Sequence, residues 1–221
     1  MQFIVRIHRQ IERIKLRFQT VGWLARTNFI SFSIAFLACS DSQDPLKPND
    51  PDEPTPCLYA SGECSQSVQL GEQSFLPILR THSLDKEDRK IHTAIIIIHG
   101  TTRNHSSNFE TMISAVQEEG ASLDDIMVIA PKFQIAEDTP TANEPFWTNS
   151  GWKKGHLSVT DSKPRPRVSS YGAIDKIIEI LSIKSRFPSM NEIVVTGHSA
   201  GGQVTHRFAA GSQVEGTIEN F

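Results

Sequence analysis

Asn191-Glu-Ile-Val-Val-Thr-Gly-His-Ser-Ala-Gly-Gly202 passes from a β-branched apolar run straight into a cluster of small residues. Ile193, Val194 and Val195 are apolar at consecutive positions, as a strand buried on both faces requires. Residues 200–210 continue at helical spacing, so the stretch reads strand, turn, helix. Gly197-His-Ser-Ala-Gly201 at the turn satisfies G-x-S-x-G. Three fixed residues in five carry little weight alone. Their place between a buried strand and a helix is what specifies a nucleophile elbow. Side chains two positions either side of Ser199 would collide with the neighbouring strand and helix, which accounts for Gly197 and Gly201. Ser199 Oγ is then expected at the carboxyl edge of the sheet, where open α/β folds place their sites.

Upstream, Thr93-Ala-Ile-Ile-Ile-Ile-His-Gly100 holds four consecutive isoleucines and reads as a central parallel strand. A helix is expected over 107–120, with Phe109, Met112, Ile113 and Val116 on one face and Gly120 as its stop. Residues 125–131 form a second buried strand. A helix over 169–185 is capped by Ser169 or Ser170 and turns Ile174, Ile177, Ile178 and Leu181 inward. An early strand over 74–80 contains Pro77, which argues for an edge position. Strand and helix alternate, so the fold class is α/β, a mostly parallel sheet with flanking helices. The polar, proline-dotted stretch 132–167 is too long for an idle connection. Its Phe146, Trp147 and Trp152 either wall the site or pin the stretch to the domain.

His99-Gly100-Thr101 follows the isoleucine strand, where an oxyanion loop belongs. The backbone N–H groups of Thr101 and Ala200 are the expected oxyanion donors, each worth about 3 kcal/mol of transition-state stabilisation. With His99-Gly-Thr-Thr-Arg-Asn104 and Gly197-His-Ser-Ala-Gly-Gly202, residues 75–221 resemble the α/β-hydrolase superfamily, closest to secreted esterase-like members. The resemblance implies a serine nucleophile, an acyl-enzyme and ester hydrolysis of a small-molecule or polymeric substrate, with no cofactor or metal. His99, Gly100, Gly197, His198 and Gly201 are its supporting motif residues. In that superfamily the triad runs Ser, then Asp or Glu, then His. After Ser199 this sequence offers Glu215 and Glu219 but His206 alone. His206 lies about two helical turns, about 10 Å, from the nucleophile. The expectation is therefore a partial α/β-hydrolase fold that lacks the C-terminal strands carrying acid and base. His99 is a loop brace or an unusual base; His156 and Asp161 are further stand-ins on the long stretch. Without a base Ser199 is a weak nucleophile. A non-catalytic, binding protein on the same scaffold is the competing reading.

The chain has 221 residues and a net charge of −3, and lacks the basic footprint that nucleic-acid binding needs. Its charge is unevenly spread. Arg6, Arg9, Arg13, Lys15, Arg17 and Arg26 face Glu12 alone before an uncharged run from Phe29 to Ala38. That is the pattern of an export signal, and the run is shorter than the roughly 20 residues a membrane span needs. Leu37-Ala-Cys39 resembles a bacterial lipobox, with Cys39 as the lipidated residue. Ile4, Ile7, Ile11, Ile14 and Phe18 also fit a surface-lying helix. Pro45, Pro48, Pro51 and Pro54 recur every third residue in an acidic stretch that cannot build a core. The expected organisation is an export segment over 1–39, a tether over 40–66 and the hydrolase-like domain over 67–221. Its place is a membrane-anchored lipoprotein facing the periplasm or cell exterior. Cys57 and Cys64 are a disulfide candidate or two free thiols.

Overall fold

The computed structural model describes residues 3–8, 55–162, 165–214 and 217–220, the side chains of 3–8 and 217–220 excepted. Cys39 and the proline repeat lie outside the described residues, so the export and lipidation expectations do too. In chain order the strands are β1 (Phe3–His8), β2 (Ser65–Gly71), β3 (Ser74–Arg80), β4 (Thr93–Ile98), β5 (Ile126–Pro131), β6 (Gln134–Ile135), β7 (Phe146–Trp147), β8 (Glu192–Gly197) and β9 (Thr217–Asn220). The helices are α1 (His105–Glu118), α2 (Ser170–Leu181) and α3 (Ala200–Gly211).

The main sheet runs β2-β3-β5-β4-β8-β1-β9. Its centre is parallel, with β4 between β5 and β8, and its flanks are antiparallel. The isoleucine run explains why β4 is central. Ile96 and Ile98 face a core shared with Ile174, Ile177, Val204 and Phe208 of α2 and α3. Ile97 faces the opposite core, with Phe109, Ile113 and Val116 of α1. A strand apolar on both faces can serve both layers at once. Because β4, β5 and β8 run parallel, the loops that leave them emerge at one sheet edge.

Two expectations need correction. Pro77 does not mark an edge: β3 pairs with β2 on one side and β5 on the other. Pairing with β5 starts only at Ile78, and there Lys132 N–H donates to Pro77 O at 2.9 Å. The ladder's end uses the proline as an acceptor, so its missing N–H costs little. Ile4 and Ile7 are not on a helix either. Phe3–His8 lies antiparallel to β8, from Phe3 opposite Gly197 to His8 opposite Glu192. Backbone pairing along an open strand outweighs a helical apolar spacing in so short a piece.

The tether expected over 40–66 also gives way to structure before its end. Cys57 and Cys64 form a disulfide, Cys57 N–H donates to Thr81 O at 2.8 Å, and Cys64 is fully buried. Packing of Cys57, Leu58 and Ala60 on the α1-side core is what orders this segment. Helix α1 begins at His105, because Asn104 Oδ1 caps it by accepting from Ser107 N–H. Ser169 is the cap of α2, accepting from the amides of Tyr171 and Gly172. That helix stops at Leu181, short of 185, and the chain turns so that Phe187 can enter the core.

Candidate active site

At the end of β8 the backbone of Ser199 takes φ 54 and ψ −111, a region that side-chain-bearing residues rarely occupy. The glycines around it are forced by contact. A Cβ on Gly197 would lie 2.3 Å from Gly201 C, and one on Gly201 would lie 2.1 Å from Ile98 O. His198 N–H donates to Ile98 O at 3.1 Å, which ties the turn to the end of β4. Ser199 is exposed and caps α3, while Ala200 is buried behind it. The Ala200 amide opens α3, where first-turn N–H groups have no carbonyl within the helix and the helix dipole favours negative charge. A strained serine on a strand-to-helix turn, on an edge shared by three parallel strands, settles the architecture. This is an α/β fold with the elbow geometry of an α/β-hydrolase.

The loop after β4 runs beside Ser199. A Cβ on Gly100 would lie 3.7 Å from Ser199 Cβ and 3.4 Å from His198 Nδ1. His99 is fully buried and explains how that loop is held. Its Nε2 accepts the Phe133 N–H at 2.9 Å. That contact leaves the ring proton on Nδ1, which donates to Gly100 O at 3.0 Å. Arg103 N–H donates to the same oxygen at 3.0 Å. Two donors hold Gly100 O, and the trans peptide points the Thr101 N–H away from that oxygen. His99 therefore spends both ring nitrogens on backbone. Burial pushes its pKa down to about 4, which keeps it neutral. It is a brace, and its geometry leaves no nitrogen for Ser199.

Aromatic packing supports the brace. Trp152 sits 4.9 Å from the His99 ring, Phe133 stacks on Trp152 at 6.1 Å, and Trp147 meets Phe133 edge-on at 5.4 Å. Trp147 Nε1–H donates to Val168 O at 3.1 Å. Trp147 and Trp152 are buried, so they pin the 132–167 stretch to the domain rather than wall a cleft. Phe146 stays half-exposed beneath Arg165.

The remaining histidines do not complete a relay. His198 and His156 are exposed, and His105 opens α1 with its pKa lowered to about 4 by burial and by the Lys132 charge. Among the described residues none of these three rings is hydrogen-bonded to Ser199 Oγ. His206 lies along α3, on the exposed side. A cleft of about 600 Å³ runs between β2 and α2, and one of about 610 Å³ is lined by Thr148, His156, Leu157 and Arg167. Neither is lined by Ser199 or Thr101. Arg103 and Asp138, which the sequence reading did not assign a role, form an ion pair at 2.6 Å against the oxyanion loop. Arg103 sits inside the recognised motif, but Asp138 gave no sequence signal.

Two solved structures are similar to this chain. One is poly(aspartic acid) hydrolase-1 from Sphingomonas sp. KT-1, 26% identical, covering 66% of this chain and 49% of that one with a TM-score of 0.42. The other is LpqC, a poly(3-hydroxybutyrate) depolymerase from Bordetella parapertussis, 16% identical, covering 68% and 47% with a TM-score of 0.41. The chain thus spans about half the length of each. No protein-family model and no curated protein matches it.

Proposed function

We propose that this chain is the nucleophile-bearing part of a serine hydrolase that cleaves an ester through an acyl-enzyme at Ser199. The single observation that carries the reading is the strained backbone of Ser199. Such strain persists only where the surroundings impose it, and here it lifts a hydroxyl clear of the sheet. In the reaction Ser199 Oγ attacks the ester carbonyl, and the developing oxyanion meets the amides of Thr101 and Ala200. The alcohol leaves with a proton, and water then releases the acid. The substrate is a small-molecule or polymeric ester. Among the described residues no histidine is assigned as the base.

We further propose an exported lipoprotein anchored through Cys39, whose processing removes residues 1–38 and β1 with them. The basic start, the short apolar run and the cysteine support it, and the Cys57–Cys64 disulfide suits an oxidising compartment. Mass spectrometry of protein made in a bacterial host is expected to show Cys39 as a lipid-modified N-terminus. Intact Met1 on mature protein would end the anchor proposal.

A second reading, a non-catalytic lipoprotein on a hydrolase scaffold, is favoured by one observation: no described histidine among His99, His105, His156 and His198 engages Ser199. A fluorophosphonate probe separates the two. Wild type is expected to label at Ser199, slowly because no described histidine serves as its base, and Ser199→Ala not at all, with peptide mapping as the check. A folded chain that resists the probe would leave the binding protein as the better account.

A further inference from the structure

The loop between β4 and α1 carries an anchor that the nucleophile chemistry does not itself use. Arg103 holds φ 56, a left-handed conformation uncommon for a long side chain. Its guanidinium runs back along the loop. Nε donates to Asp138 Oδ2 at 2.6 Å, and Nη1 donates to Thr101 O at 2.9 Å. Asp138 closes the short 3-10 turn Ala136–Asp138, and its Oδ2 also accepts from Ile135 N–H at 2.9 Å. The two side chains are only 16% and 19% exposed. Exposed ion pairs organise little, but a largely buried pair bonded to backbone at both ends fixes geometry.

The consequence lies in which carbonyls are gripped. Arg103 N–H holds Gly100 O, and Arg103 Nη1 holds Thr101 O. These are the carbonyls on either side of the Thr101 N–H along the chain. We propose that Arg103 and Asp138 are a positioning pair that sets the Thr101 amide at the angle where it meets charge developing beside Ser199. The pair also joins the oxyanion loop to the first turn of the 132–167 stretch, so the two move as one unit. This rests on the serine-hydrolase reading above for its chemistry, though not for its geometry.

The test uses the full chain with Arg103→Asn, Asp138→Asn and the double variant. Asparagine tolerates a left-handed backbone, so Arg103→Asn removes the guanidinium and spares the turn. Removing an oxyanion donor outright costs roughly 100- to 1,000-fold in rate. Loosening one is expected to cost about tenfold in the maximal rate of fluorophosphonate labelling. The probe concentration for half-maximal rate should change less than about twofold, because uniform binding is untouched. The double variant should be no slower than the singles, as members of one unit behave. The Thr101 amide resonance should shift in each variant while the denaturation midpoint stays near wild type. Wild-type labelling rates in the variants, or single effects that multiply, would overturn the pair while leaving Ser199 as nucleophile. If wild type itself does not label, the serine-hydrolase reading falls and the pair is judged on Thr101: an unshifted amide in Arg103→Asn rejects it, and a shift upholds it. Should a variant unfold, Arg103→Lys keeps the charge without the two-pronged grip and takes its place in the same comparison.

Discussion

Gly201→Ala is expected to unfold the domain or to cost at least about 4 kcal/mol, among the larger effects a single methyl can have. The added carbon would sit 2.1 Å from Ile98 O and 2.7 Å from both Ile98 C and His99 O. Those are backbone atoms at the end of β4, where Ile98 pairs with Gly197 of β8, and they have no rotamer through which to yield. Relief would need α3 to back away from the sheet, and Val204, Thr205 and Phe208 are buried against that movement. Gly62 is the control, since a Cβ there meets nothing within 4 Å. Urea unfolding of the two variants decides the matter. A Gly201→Ala midpoint close to wild type would mean that the elbow does not pack on β4 as described.

The second large effect is a loss of stability in mild acid. His99 titrates near about 4 in the folded chain because burial disfavours its charge, against 6.5 when free. Between those values the unfolded chain binds more protons, so stability rises with pH and is complete above about 6.5. Lowering the pH from 6.5 to 4 should remove about 3 kcal/mol through this one ring. His105, lowered to about 4 by burial and Lys132, acts in the same direction. Asp175 opposes them within the carboxylate range: burial raises its pKa, so its contribution is fully present at low pH and falls as pH rises. Desolvation by itself would raise Asp138, but bonds from Arg103 and Ile135 and the Arg103 and Lys132 charges bring it below the usual value. Its contribution is lost only below the histidine window. His99→Gln, which cannot titrate, should flatten the stability–pH curve between 4.5 and 7 by about 3 kcal/mol. An equally steep curve in that variant would show that His99 is not the group responsible.

The parts of this protein that were legible in sequence share one property: their physics is local. Four isoleucines in a row read as a strand with two covered faces, and two glycines around a serine, set between a buried strand and a helix, read as a tight turn. The positions of Ser199 and Ala200 after β8 and of Thr101 after β4 could therefore be read by number. What escaped depended on partners far along the chain. Pro77 looked like an edge residue because the sequence does not say that the ladder with β5 ends beside it. The role of His99 stayed divided between brace and base until Phe133 N–H was seen on its Nε2. Asp138, 35 residues from Arg103, belongs to a pairing that no local pattern announces. Strand β2 was missed because its alternation of serine and glutamine with Val68 and Leu70 is apolar on one side only, as befits the outermost strand.

One link described above bears on timing. The Thr101 amide owes its orientation to a chain of contacts that begins at Phe133, passes through a buried imidazole and ends on Gly100 O. None of these contacts waits for a ligand. In the proposed serine-hydrolase reading, docking of the segment after β5 against His99 would set the amide before any ester arrives. Reorganisation that water would have to undergo at the moment of reaction has then already taken place in the polypeptide. On that reading, assembly of this edge of the sheet and its readiness for the reaction are one event.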